Sequence, residues 1–208
     1  MMNGPVISLG RQYGAGGREI GEILSEILGI HYYDKELMRV ASDHTGIEES
    51  RFHLADEKPG EKVLFRIMRG LRPDDKNYSG SVLSDESLFR FQKEVILKLA
   101  EKEESCVIVG RCADHILRDN PRLVSVFIHS DDDHRVERIV RRTSYDPIQA
   151  AKNLKRIDKE RSEYYKYYTG KEWGDFSNYD LCIDSGKLGA RASAELIVEY
   201  LKLRGFKV

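Results

Sequence analysis

The sequence predicts an α/β fold built on a largely parallel sheet, and three observations carry that prediction. Five short apolar runs, at residues 6–9, 30–33, 106–109, 123–129 and 179–183, are rich in Val and Ile and do not alternate cleanly with polar residues. Central strands of a sheet covered on both faces read this way, because neither face meets water. Helical patterns lie between the runs, and strands that alternate with helices form βαβ units. A glycine-rich turn joins the first strand to the first helix.

The elements follow in order. After the strand at 6–9 comes a turn holding Gly10, Gly14, Gly16 and Gly17. Ile20, Ile23, Leu24, Ile27 and Leu28 then keep helical spacing, and Gly29 ends that helix. Residues 35–104 are too long for a single crossover. They hold several helical patterns and a polar, glycine-containing loop at 74–81. Ser84 is placed to cap a long helix whose apolar face includes Leu88, Phe91, Val95, Ile96 and Leu99. Residues 131–178 form a second interruption, helical and crowded with charge, where Asp131-Asp132-Asp133 suits a helix start. A closing helix is expected over 190–203, with Ala194, Ile197, Val198 and Leu201 on one face. The reading is one domain over 1–208 with insertions at 35–104 and 131–178. Insertions at the carboxyl ends of parallel strands are where ligand-binding lids form.

Composition narrows the class. The chain has 208 residues, 40% hydrophobic and 33% charged, which excludes collagen-like, mucin-like and wholly disordered readings. No apolar run approaches the ~20 residues a bilayer span needs, and no signal peptide is visible, so a cytoplasmic protein is expected. Cys106, Cys112 and Cys182 are odd in number and lack CxxC spacing, so a disulfide scaffold or zinc site is not expected. The formal net charge of −1 hides an uneven distribution. Residues 135–172 carry eleven Lys/Arg against six Asp/Glu, while residues 43–61 carry two against six.

The chemistry begins in the turn Gly10-Arg-Gln-Tyr-Gly-Ala-Gly-Gly-Arg-Glu19. Glycines permit positive φ, so that successive N–H groups point inward beside a helix N-terminus that favours an anion. Those are the requirements of a phosphate cradle built from Gly14, Ala15, Gly16, Gly17, Arg18 and Glu19. The strict pattern G-x-x-x-x-G-K-[ST] is not met. Either Gly17 stands at the lysine position, or Arg18 replaces the lysine and Glu19 stands where Ser or Thr is expected. Arg18 or Arg11 can supply the positive charge, since guanidinium groups chelate phosphate oxygens well.

This loop, with the following segment HYYDKELMRVAS, resembles the cytidylate-kinase-like family, a divergent branch of the nucleoside monophosphate kinases. The resemblance runs in order through nearly the whole chain. It implies a three-layer α/β/α P-loop NTP hydrolase fold, with five parallel strands ordered 2-3-1-4-5. It also implies an acceptor-binding insertion at 35–104 and a basic lid at 131–178. ATP and Mg2+ are the cofactors implied. Asp34 begins the acceptor region and can reach the metal; Gly110-Arg111 contacts the acceptor, with Asp114 nearby. Cys112-Ala113 depart from the cytidylate kinase pattern. Arg138, Arg141 and Arg142 can share one helix face. Arg142, Arg156 and Arg161 best resemble lid positions and, with Arg18, are the candidates for catalysis.

The expected function is ATP-dependent phosphoryl transfer to a nucleoside monophosphate, CMP or dCMP-like, or to a similar small phosphate acceptor. Its partners are small nucleotides rather than a membrane. Three alternatives stay open: a nucleotide-binding regulator without turnover, a kinase of a non-nucleotide metabolite, and a single-stranded nucleic-acid binder. The last would use Tyr164, Tyr165, Tyr167, Tyr168 and Trp173 among the basic charges; packing of the lid hinge is the plainer use of those rings. The six histidines show no metal-ligand spacing.

Overall fold

The computed structural model describes residues 4–34, 85–103 and 105–208. Most of the expected acceptor insertion, the loop at 74–81 and the Ser84 cap lie outside the described residues. The elements are β1 (Val6–Arg11), α1 (Gly17–Leu28), β2 (His31–Tyr33), α2 (Asp85–Lys102), β3 (Cys106–Val109), α3 (Ala113–Ile116), β4 (Leu123–His129), α4 (Asp132–Arg142), α5 (Pro147–Thr169), a 3-10 turn (Phe176–Asn178), β5 (Leu181–Asp184) and α6 (Ser185–Leu203). The five strands are all parallel and ordered β2-β3-β1-β4-β5. This is the three-layer α/β/α P-loop architecture.

Register explains why the strands read as unbroken apolar runs. Val6 lies opposite both Cys106 and Leu123, and Leu9 opposite Val109 and Val126. Side chains alternate along each strand. Val6, Cys106 and Ile108 therefore meet Val95, Ile96 and Leu99 of α2 on one face. Ile7, Leu9, Val107 and Val109 meet Ile20 and Leu24 of α1 and Ile197 and Leu201 of α6 on the other. The four helical anchors on that second face are fully buried. Each stabilises the sheet sandwich by roughly 1.5–3 kcal/mol relative to exposure.

Local chemistry moves some boundaries. β1 runs two residues past the expected end, because Gly10 and Arg11 still pair with Phe127 and Ile128. β5 starts at Leu181, because the Asp180 carboxylate is taken up by the Ser125 N–H and hydroxyl at 2.8 and 3.0 Å. The last helix begins at Ser185, five residues before the expected start. Asp184 caps it through the Gly186 N–H, and Gly189, at φ 74°, kinks it where the sequence pattern breaks. Asp131 caps α4 by accepting from the His134 N–H, as the acidic run suggested. Asp146 and Gln149 form a reciprocal capping box around Pro147 at the start of α5.

The functional consequence is at the carboxyl edge of the sheet. There the turns after β1, β3 and β4 converge, and α5 crosses over them. Asp158 of α5 accepts from the Tyr13 N–H at 2.7 Å, and Arg161 donates to the Arg11 carbonyl at 2.9 Å. Tyr165 donates to Asp114 at 2.6 Å.

Candidate functional site

The turn after β1 is built around two residues that need positive φ. Gly14 and Gly16, at 82° and 80°, flank the buried Ala15. The Ala15 carbonyl is fixed by the Ser185 hydroxyl at 2.7 Å. α1 then starts at Gly17, and no side chain caps its first turn. A helix that starts at residue 17 matches the reading that puts Gly17 at the lysine position.

Two adjoining cavities on this edge reach the glycine turn and the end of β3. The first, of about 470 Å³, is lined by Gly14, Gly16 and Gly17 of the turn, and by Arg18, Asp34 and Arg142. The second, of about 500 Å³, is lined by Gly110, Arg111, Asp114, Arg156, Tyr164 and Trp173. Arg11, Tyr13, Val109 and Arg161 line both and form the wall between them.

Each expected residue has a definite place. Arg18 is half-exposed on α1, 3.0 Å from Glu22 and 3.8 Å from Asp34. The hydrogen bond with Glu22 raises its pKa. Glu19 points to Arg138 and forms an ion pair with it. Arg142 lines the first cavity beside Arg138. Arg141 does not share that face: it turns outward to Glu137 at 3.4 Å. A helix step of about 100° makes 138 and 142 neighbours, while the i,i+4 carboxylate draws 141 away. Arg156 lies at the rim of the second cavity, held by Glu160 at 2.6 Å. Asp34 stands with the glycine turn, apart from Arg111 and Asp114 in the second cavity, so of its two expected roles the geometry favours the one toward a metal.

The third strand ends in an unusual backbone. Gly110, Arg111 and Cys112 have φ of 78°, 58° and 54° in succession. Two consecutive non-glycine residues there carry strain of about 1–3 kcal/mol each, the kind of outlier that clusters at functional sites. The turn aims Arg111 across the cavity to the Tyr164 ring, 5.9 Å from its centroid. Burial pushes the Tyr164 phenol up to about 12. Asp114 lies in the first turn of the short helix that follows; burial raises its pKa, against the hydrogen bond from Tyr165.

Sequence reasoning missed the clamp that holds α5 in place. Arg135 is buried. It forms an ion pair with Asp158, meets the Tyr13 carbonyl at 3.4 Å and pairs with Asp132 at 2.6 Å. Only the Asp132–Arg135 spacing was a local signal. The aromatic run largely packs: Tyr168 stacks on Phe89 at 3.8 Å, and Trp173 meets Phe127 edge-on at 5.4 Å.

The first cavity fits a polyphosphate. Its floor is a positive-φ turn at a helix start, and Arg11, Arg138, Arg142 and Arg161 supply cations. Among the described residues, no group of three or more His, Cys, Asp or Glu could hold a metal ion. A single carboxylate, Asp34, still fits Mg2+, which is usually held by one or two carboxylates with phosphate oxygens and water. No helix among the described residues is long and apolar enough to cross a membrane.

Comparison with known proteins agrees with this architecture. The profile of the cytidylate kinase-like family matches residues 6–187. A cytidylate kinase of Methanosarcina barkeri is 30% identical over 177 residues, covering 84% of this chain and 83% of the relative. One from Archaeoglobus fulgidus is 28% identical over 125 residues, covering 60% of this chain and 66% of the relative. The crystal structure of an uncharacterized protein from Eubacterium ventriosum has a TM-score of 0.71 at 30% identity, covering 95% of this chain and 98% of that one. A shikimate kinase from Bacteroides thetaiotaomicron shares the fold, with a TM-score of 0.54 at 14% identity and coverage of 95% and 98%. With a profile match over most of its length and a relative 30% identical over 84% of it, the chain belongs to the cytidylate kinase-like family.

Proposed function

We propose that this chain transfers the γ-phosphoryl group of ATP to the phosphate of a nucleoside monophosphate or a similar small phosphate acceptor, with CMP and dCMP as first candidates. The observation that carries this reading is the arginine wall: two cavities of similar size share Arg11 and Arg161. A phosphoryl group moving from a ligand in one to a ligand in the other passes that wall.

The donor phosphates lie in the first cavity, on the backbone of Gly14, Ala15, Gly16 and Gly17. Arg18 and Asp34 flank them, and Glu19 anchors Arg138 over them. An acceptor oxygen attacks the γ-phosphorus in line; the new P–O bond forms as the bridging P–O bond breaks, and ADP leaves. Catalysis of this kind is positioning and charge stabilisation. Arg142, Arg156 and Arg161 supply that charge from the region 131–178, which acts as the lid. Arg111 holds the acceptor phosphate, and Asp114 contacts the remainder of the acceptor. Asp34 would hold Mg2+, which neutralises phosphate charge when bound.

ADP release from ATP and Mg2+, screened across nucleoside and deoxynucleoside monophosphates, tests the reading. Release that depends on one acceptor supports it and names the substrate. ATP binding without release for any acceptor overturns it in favour of a regulator or a kinase of another metabolite.

A further inference from the structure

A phosphate-binding loop of the common kind carries a lysine directly after its last glycine, at the start of the helix. Here Gly17 stands at that place. The backbone does not require glycine there. Gly17 opens α1 with φ outside the left-handed region, and glycine weakens a helix relative to alanine. Space requires it. A Cβ on residue 17 would lie 2.7 Å from both Cβ and Cγ of Arg11, and 3.5 Å from its Cδ. The stem of Arg11 rests on the α-carbon of Gly17.

The same side chain then passes a second glycine. A Cβ on Gly110 would overlap Arg11 Nη1 and lie 3.2 Å from Cζ. Gly17 and Gly110 come from opposite sides of the turn cluster, one at a helix start and one at a strand end. Together they form the channel through which Arg11 reaches the wall between the cavities. Its guanidinium has no hydrogen bond or ion pair with another described residue. Burial, with Arg161 and Arg111 beside it, pushes its pKa down to about 9, which leaves it charged at neutral pH. Asp34 offsets part of this from within the first cavity; a buried cation beside two others is otherwise unfavourable until an anion arrives.

We infer that Arg11 does the work of the missing lysine: its guanidinium contacts the phosphoryl group in transit, and Gly17 is kept without a side chain to admit it, whereas Gly110 is a glycine already on account of its φ of 78°. This rests on the kinase reading above. Arg18, the other candidate cation, is half-exposed and engaged by Glu22 and Asp34. A guanidinium placed between two phosphates can donate to oxygens of both, which a point-charge ammonium does less well.

The test uses wild type, Arg11→Met, Arg11→Gly and the double variant Arg11→Gly/Gly17→Lys. ADP release, ATP affinity by calorimetry and thermal unfolding are read for each. Arg11→Met keeps a stem over Gly17, so its fold is expected to persist. Its kcat is expected to fall by on the order of 10²–10³-fold, as for loss of one electrostatic donor to a transition state. Arg11→Gly clears the space above residue 17, and a lysine placed there should restore about tenfold or more of the activity that Arg11→Gly loses. A folded Arg11→Met within about threefold of wild type overturns the inference, as does a folded double variant no more active than Arg11→Gly. Wild type inactive with every acceptor is the separate failure of the kinase reading. ATP affinity then decides: a loss of about tenfold in Arg11→Met keeps the phosphate contact, and unchanged affinity removes it.

Discussion

Replacing Asp158 by Asn tests whether α5 is clamped to the glycine turn by a buried charge. Asp158 accepts from the Tyr13 N–H at 2.7 Å and pairs with Arg135, whose side chain is only 5% exposed. Asparagine keeps an acceptor for Tyr13 and removes the charge. Arg135 is then left with the Tyr13 carbonyl and, as charged partner, Asp132, a carboxylate 63% exposed, and such solvated partners contribute at most about 1 kcal/mol. Removing one partner of a buried pair costs about 3–5 kcal/mol. We take about 3 kcal/mol, because Asp132 retains part of the attraction. A chain of 208 residues has an unfolding entropy near 0.44 kcal/mol/K at about 2.1 cal/mol/K per residue, so Tm should fall by about 7 °C. Differential scanning calorimetry reads this directly, with Asp132→Asn as the control expected to move Tm by about 2 °C or less. A shift for Asp158→Asn no larger than that of the control would refute the assignment of the buried clamp to this pair.

Two further outcomes follow from the titrating groups. Burial raises the Asp114 pKa above its ordinary value, so the folded state holds that proton more tightly than the unfolded chain. Stability from this group is present at low pH and is lost as pH rises through the folded pKa. Asp114→Asn should therefore match wild type in Tm near pH 3.5 and exceed it at pH 7, while weakening acceptor binding; equal Tm differences at both pH values would argue against a desolvated carboxyl. Cys106 and Cys112 are buried with pKa pushed up to about 12, whereas Cys182 is exposed. A disulfide reagent should titrate one thiol in the native protein and three after denaturation, and rapid native reaction of two or more would contradict the burial.

How much was legible depended on the range of the interaction. The strands could be read because a sheet buried on both faces leaves an apolar run, and Ile7 and Val6 face opposite layers equally devoid of water. The glycine turn could be read because its four glycines lie within eight residues of one another. The Arg135–Asp158 pair could not, because its partners sit on different helices and the Tyr13 contact spans 145 residues. The backbone at Arg111 and Cys112 could not either. Left-handed φ is signalled by glycine or asparagine, and neither residue gives that signal. Arg141 was readable after all: Glu137 four residues earlier was a competing partner already present in the sequence.

The missing lysine has two explanations, and the packing at Gly17 separates them. If the loop had simply lost its cation, nothing would keep a small or polar side chain off position 17, the first residue of α1. Alanine would even favour the helix. An approach of 2.7 Å from two carbons of Arg11 tolerates none of them. A motif records which atoms must reach a phosphate through the residue numbers that usually carry them. When the cation is delivered from the opposite side of the same turn, the motif reports a loss, and the only trace in the sequence is a glycine where the backbone does not call for one.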